Sequence, residues 1–160
     1  MNIIELLKED HREAEELIER LEGIDTDLDD EEAGIGEMPQ EIFNQLKNAL
    51  TLHTQAEEQI IYPAMKQFSE TAELIPEAIE EHQQVDQILE EMAILAPTDD
   101  EFQEKLEELK ENLLHHIEEE EDELFPKAEE LCGQKKLEEM GRQMQELKQG
   151  RSAAATAKRK

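Results

Sequence analysis

With 160 residues and a mass of 18.5 kDa, the chain has the size of one ordinary domain. Charged residues make up 38% of the sequence and apolar residues 37%, with six Gly and five Pro, and this supply suits long amphipathic helices far better than sheets. The formal net charge of −28 disfavours nucleic acid and anionic membranes as partners and favours cations.

Two further features bear on the location of the protein. Cys132 is the single cysteine, so one chain can form neither a disulfide framework nor a thiolate zinc site. No segment approaches the ~20 apolar residues that span a bilayer, and the N-terminus lacks the pattern of a signal peptide. We therefore expect a cytoplasmic protein in a reducing compartment.

Start and stop signals divide the chain into five helices and two irregular segments. An acidic loop is expected over residues 25–39, and the helices are expected at about 1–22, 40–68, 76–96, 100–131 and 134–149. The predicted fold class is all-α, with a helical bundle domain over 1–131, a short C-terminal helix over 132–149 and a disordered tail over 150–160.

Each of the first four helices carries an apolar seam in steps of three and four, and every seam is interrupted by a histidine. In the second and fourth helices a glutamate follows that histidine after one turn. By helix, the seams are Ile4, Leu7, His11, Ala14, Ile18 and Leu21; Phe43, Leu46, Leu50, His53, Glu57, Ile60 and Ala64; Ile75, Ala78, His82, Val85, Leu89 and Met92; and Phe102, Leu106, Leu109, Leu113, His116 and Glu120.

These seams predict a buried metal site. The interior of a four-helix bundle is its driest place, and an unpaired imidazole or carboxylate there costs several kcal/mol. Metal ions accept both groups as ligands and supply the positive charge that buried carboxylates require. The predicted ligands are His11, His53, Glu57, His82, His116 and Glu120.

An internal repeat supports the same prediction. Residues 53–63 and 116–126 share the histidine, two consecutive glutamates, an aromatic residue and a proline in register. Helices one and three carry a weaker echo, in which each histidine has an acid directly before it and another four residues after it. The echo consists of Asp10, His11 and Glu15 in helix one, and Glu81, His82 and Asp86 in helix three.

The neighbours of the six residues have more ordinary interpretations. We expect Glu58 and Glu121 to accept the outer N–H groups of metal-bound imidazoles. Tyr62 and Phe125 are expected to shape the pocket or seal its end. His115 is expected on the solvated face, and Glu15 and Asp86 flank their seams, although all three stay open as additional ligands.

The ordered series His11, His53-x-x-x-Glu57, His82 and His116-x-x-x-Glu120, with the endings Tyr62-Pro63 and Phe125-Pro126, resembles the hemerythrin family, specifically its HHE cation-binding domains. The resemblance implies an antiparallel up-down-up-down four-helix bundle holding two non-haem irons. It also implies terminal histidines on each iron, and bridges from Glu57, Glu120 and an oxo or hydroxo oxygen.

One departure from the family concerns the third helix. Oxygen-carrying hemerythrins have a His-x-x-x-His pair there, whereas this chain has Asp86 at the second position. Harder oxygen ligation favours the ferric state, which weakens the case for reversible O2 carriage.

The leading hypothesis is a di-iron protein that binds O2, NO or peroxide, in oxygen, iron or redox sensing, storage or stress response. This hypothesis favours an oxygen-binding protein over an enzyme, and it includes no nucleic-acid or membrane partner. Two alternatives stay open: a di-iron oxidase or peroxidase, and a metal-free structural bundle. Other divalent metals would also fit these ligands, and the sequence does not identify protein partners.

Overall fold

The computed structural model describes residues 1–22 and 38–157, with side chains for 1–22 and 38–150, and every element in these ranges is helical. Most of the predicted loop over 25–39 lies outside the described residues. In chain order the elements are α1 (Ile3–Glu22), α2 (Pro39–Ala56), the π-helical turn π1 (Glu57–Ile61), α3 (Tyr62–Lys66), α4 (Ser69–Ala72), α5 (Leu74–Ala93), α6 (Asp100–Glu119), the π-helical turn π2 (Glu120–Leu124), α7 (Phe125–Cys132) and α8 (Gln134–Ala157).

Four long bundle helices form the core of the molecule. The first is α1, the second runs through α2, π1 and α3, the third is α5, and the fourth runs through α6, π2 and α7. Each contacts the next along the chain, and the fourth contacts the first, so the four close around one interior. The predicted all-α bundle with an added C-terminal helix is confirmed. None of the helices in the described ranges is long and apolar enough to cross a membrane.

The predicted seams of bundle helices one, three and four are buried throughout. The seam of the second is wrong beyond Glu57: Ile61 and Met65 are fully buried, whereas the predicted Ile60 and Ala64 are only partly buried. A π-helical turn contains one more residue than an α-helical turn, so it shifts the buried face by one position.

Prolines explain where the π-helical turns form. The amide of Tyr62 donates to the Glu57 carbonyl, five residues back, and Phe125 donates to Glu120 in the same way. Pro63 and Pro126 follow directly, and a proline lacks an N–H and clashes with the carbonyl four residues back. The wider turn relieves that clash. Each π-helical turn also begins at a predicted metal ligand, and such turns are frequent at functional sites.

The C-terminal helix α8 packs against the end of the bundle that contains Ile3, Ile4 and Leu7, which we call the lower end. Leu137, Met140 and Met144 are buried there, and the Asn2 side chain donates to the Gln134 side chain at 3.3 Å. The helix continues to Ala157, which differs from the predicted end at 149. The alanine-rich sequence after residue 150 has high helix propensity, which accounts for the extension.

Gly141 is the point of closest approach between α8 and the N-terminus. A Cβ atom there would lie 2.5 Å from the Met1 carbonyl oxygen. We expect Gly141→Ala to destabilise the protein by about 1–3 kcal/mol, because this overlap with backbone outweighs the better helix propensity of alanine. Thermal unfolding measures the effect. At Gly150, in the same helix, a Cβ would meet nothing within 4 Å, so Gly150→Ala should be neutral or slightly stabilising. A Gly141→Ala protein that melts at or above wild type would contradict this packing.

Candidate metal centre

The six predicted ligands form one polar layer between two hydrophobic clusters. The lower cluster includes the buried residues of α8, and the upper cluster lies on the other side of the layer. In α1, Ile4 and Leu7 belong to the lower cluster and Ala14 and Ile18 to the upper cluster, with His11 between them. The other bundle helices cross the same layer at their own histidines. All six side chains are 0–3% exposed, so the layer is shielded from solvent on both sides.

All four imidazoles point Nε2 toward the two central carboxylates. His11 Nε2 lies 3.1 Å from Glu120 Oε1, and His116 Nε2 lies 3.4 Å from the same oxygen. On the other carboxylate, His82 Nε2 lies 2.9 Å and His53 Nε2 lies 3.3 Å from Glu57 Oε1. His116 Nε2 also lies 3.7 Å from Glu57 Oε1. The helices therefore bring the six predicted residues together, with each glutamate close to at least two histidines.

The donor atoms form two overlapping groups. One is His11, His53, Glu57 and Glu120, and the other is Glu57, His82, His116 and Glu120; within each group the donor atoms lie within 4.8 Å of one another. The Nε2 atoms of His82 and His116 are 3.2 Å apart. Two ligand atoms at about 2.1 Å from one ion and about 90–110° apart are separated by about 3.0–3.4 Å, so this spacing fits a shared ion.

Two buried polar atoms in the layer also fit a cation. His53 Nε2 and Glu57 Oε2 have no hydrogen-bond partner among the described residues, although His53 Nε2 lies within ion-pair distance of Glu57. Buried polar atoms are rarely left without a partner, since the desolvation is then uncompensated. Both atoms belong to the same donor group and both are metal ligands by chemistry.

The opposite ring nitrogen, Nδ1, of each histidine donates to an acid on another bundle helix. Asp10 of the first helix accepts from His53 of the second at 3.0 Å, and Glu58 of the second accepts from His82 of the third at 2.7 Å. Glu81 of the third helix accepts from His116 of the fourth at 2.7 Å, and Glu121 of the fourth accepts from His11 of the first at 2.8 Å. These four outer acids fix each ring with Nε2 inward.

Tyr62 and Phe125, equivalent in the internal repeat, each stack on one histidine. Tyr62 lies over His82 with ring centroids 5.4 Å apart, and Phe125 lies over His11 at 5.9 Å. Unlike Phe125, Tyr62 also carries a hydroxyl, which donates to Glu120 Oε2 at 2.6 Å. Burial, together with the charges of both central carboxylates, raises the pKa of Tyr62 well above its ordinary value, so the phenol stays protonated beside them.

The central carboxylates raise the pKa of His53, His82 and His116 in the metal-free centre. Burial alone lowers the pKa of His53, but the charge of Glu57 and the hydrogen bond to Asp10 outweigh it and raise the pKa to about 10. The pKa of His82 and of His116 is raised as well, against burial, by the central glutamates. Burial would raise the pKa of Glu57, but the histidine charges hold it well below its ordinary value.

A small cavity of about 20 Å³ leads from the surface toward the centre. It lies between the third and fourth bundle helices, and its lining includes both His116 and Glu120. Four acids line it as well, and these are Glu77, Glu81, Glu119 and Glu123. A volume of this size holds about one water-sized molecule.

Three residues left open by the sequence lie outside the two donor groups. His115 is 64% exposed and pairs with Glu119 at 3.1 Å on the surface. With Glu119 and Glu81 it forms a separate donor group, but exposed acidic groups of this kind are common without an ion. Asp86 is exposed and Glu15 is half-buried, and neither belongs to a donor group. Glu58 and Glu121 contact imidazoles as expected, whereas sequence reasoning gave Asp10 and Glu81 no such contact. The sequence did contain a sign of their role, because Asp10 directly precedes His11 and Glu81 directly precedes His82.

Comparisons with known proteins identify a family and a similar fold. The family model described as Hemerythrin HHE cation binding domain matches residues 2–128. The crystal structure of a Hemerythrin HHE cation binding domain-containing protein from Mycobacterium kansasii superposes with a TM-score of 0.76 at 25% identity, covering 99% of this chain and 93% of that one.

A curated protein described as a DNA nickase, from Nostoc sp., is 27% identical over 128 residues. The match takes in 78% of this chain but only 33% of the nickase, so the chain spans about a third of that protein's length. The family model covers most of the chain, and the layer of histidines and glutamates lies within the matched residues. The chain therefore belongs to the hemerythrin HHE cation-binding domain family.

Proposed function

We propose that this chain is a di-iron protein that binds O2, NO or peroxide. Each iron would take two histidines as terminal ligands, His11 with His53 on one side and His82 with His116 on the other. Glu57 and Glu120 would bridge the two irons. The single observation that carries the proposal is that both buried donor groups contain the same two glutamates.

The chemistry of the donors supports iron. Imidazole together with carboxylate suits Fe, whereas the sequence offers no thiolate in this layer for softer metals. Two histidines and two shared carboxylates would give each ion four protein ligands, fewer than the six positions of an octahedral ion. When bound, such a pair of irons supplies one-electron chemistry toward small oxygen- or nitrogen-containing ligands.

The surrounding residues suit a small ligand better than an organic substrate. Apolar clusters above and below the layer exclude bulk water, and the cavity beside His116 and Glu120 has room for about one water-sized molecule. The Tyr62 hydroxyl, 2.6 Å from Glu120, is a hydrogen-bond donor that faces the centre. These features favour O2, NO or peroxide as the molecule that reaches the metals.

Metal analysis and absorption spectroscopy test the proposal. We expect protein stripped of metal and reloaded anaerobically with ferrous iron to hold two irons per chain. After air oxidation it should show near-ultraviolet and visible bands of a bridged ferric pair, and azide should shift them because it takes an open position. A stoichiometry clearly below two, or a spectrum that azide leaves unchanged, would contradict the proposal.

A second candidate is a di-iron peroxidase or oxidase, which the Tyr62 hydroxyl favours because a hydrogen-bond donor beside the carboxylates can stabilise the negative charge that develops as an O–O bond breaks. Peroxide consumption by the iron-loaded protein far above that of free iron would select this candidate over simple ligand binding. DNA nicking is not carried over to this chain, since a net charge of −28 opposes binding to phosphates.

A further inference from the structure

One lysine connects the C-terminal helix to the metal centre. Lys148 of α8 donates from Nζ to Asp10 Oδ1 at 2.7 Å, and the other oxygen of Asp10 accepts from His53 Nδ1 at 3.0 Å. Lys148 is 33% exposed and Asp10 is 12% exposed. Lys148, Asp10 and His53 thus form a chain of hydrogen bonds from the surface to a predicted ligand. Lys148 lies outside residues 2–128, the part of the chain that the family model matches.

The packing of α8 fixes the place of this lysine. Met140, Met144 and Lys148 follow one another at intervals of four, so they lie on one face of the helix. Both methionines are buried against the bundle, and Gly141 brings the helix backbone next to Met1. The burial of Met144, one turn before Lys148, therefore holds the lysine beside Asp10.

The lysine breaks the symmetry of the internal repeat. Asp10 precedes His11 as Glu81 precedes His82, and each accepts from a histidine of the next bundle helix. The other described partners of Glu81 are His115 and Glu119, neither of which is a lysine or arginine. Of the four outer acids, Asp10 is the one whose described contacts include a lysine.

We infer that Lys148 is a positioning residue that acts through Asp10 and His53 to make the two metal positions electronically unequal. This inference rests on the proposed di-iron function. A carboxylate that accepts an imidazole N–H makes the ring a stronger electron donor toward its metal. Lys148 competes for the charge of Asp10, so His53 becomes a weaker donor than the histidines that bind the other outer acids.

The expected sign follows from two effects that act in the same direction. A weaker imidazole donor stabilises the ferric ion less, and a nearby ammonium charge also favours the less positive, ferrous ion. The iron held by His11 and His53 should therefore have the higher reduction potential of the two. Removing the lysine charge should lower that potential and bring the two reduction steps closer together.

A spectroelectrochemical titration of the iron-loaded protein tests this inference. In wild type we expect two one-electron steps at different potentials. In Lys148→Met, which keeps the length of the side chain but not its charge, the step at higher potential should shift downward while the other shifts less. Lys148→Arg should keep both steps near their wild-type positions, because the cation is retained. Lys135→Met, on an exposed position of the same helix, is the matched control and should leave both steps unchanged.

The outcomes separate this inference from the proposed function. A wild-type protein with fewer than two irons overturns both. A wild-type protein with two irons whose potentials do not change in Lys148→Met, or change equally, overturns the role of Lys148 alone. Thermal unfolding of the metal-free variants shows whether α8 stays packed, and Lys148→Gln serves as a second charge-removing variant if Lys148→Met melts early.

Discussion

Glu57→Gln and Glu120→Gln should each reduce bound iron from two ions to at most one per chain and weaken the remaining binding by more than about 100-fold. The reason is that both donor groups contain both glutamates, so a single change removes an anionic ligand from each ion. Glutamine keeps the size of the side chain but loses the charge that offsets the cations. Metal analysis after gel filtration, followed by titration with ferrous iron, measures the effect.

A matched control lies on the fourth bundle helix. Glu118 is exposed and close to Glu120 in sequence, so Glu118→Gln changes the net charge by the same amount without touching the layer. It should retain both ions. Helix content by circular dichroism shows whether each variant folds. Full retention of two ions by folded Glu57→Gln and Glu120→Gln would mean that the two carboxylates are not ligands.

The second large effect is an opposite dependence on pH of the metal-free and metal-loaded proteins. In the metal-free protein the pKa of His53 is raised from an ordinary 6.5 to about 10, so the folded state holds this proton more tightly than the unfolded chain. The resulting stability is complete below about pH 6.5 and is lost as the pH rises toward about 10. The raised pKa values of His82 and His116 add in the same direction.

Metal reverses this trend because it binds the deprotonated imidazole. Ions and protons compete for the same nitrogens, so iron affinity should increase with pH over the range in which the metal-free protein weakens. Binding should also release protons, which a weakly buffered titration can count. Thermal unfolding at about pH 6 and about pH 9, with and without a chelator, compares the two forms. If the melting temperature of metal-free protein rises over this interval, the histidines are not protonated in the folded state.

Much of the fold and centre could be predicted because both follow from spacing along single helices. A histidine at a seam position, such as His11, must face the interior, and a glutamate four residues after His53 must share its face. The contacts of Glu58 and Glu121 could also be predicted, since each of these residues directly follows a central glutamate. That the six residues ligate metal stays a prediction, although the structure brings them together.

The remaining features depend on relations between helices or on local backbone geometry. Asp10 and Glu81 each lie beside one histidine in sequence but bind the histidine of the neighbouring helix, and spacing along one helix cannot indicate this. The position of Lys148 depends on the direction in which α8 crosses the bundle. The π-helical turns, in contrast, could have been predicted from the sequence, because Pro63 and Pro126 lie where an α-helix could not continue undisturbed.

The contacts of the four outer acids follow a circular order around the bundle. Every bundle helix gives a carboxylate to one neighbour and receives one from the other, so rotating any helix about its axis breaks two contacts at once. Fraying of a single helix end leaves this circle intact. Amide protons next to the four histidines should therefore exchange with deuterium only through a concerted opening of the whole bundle, and ion escape should follow the same slow event.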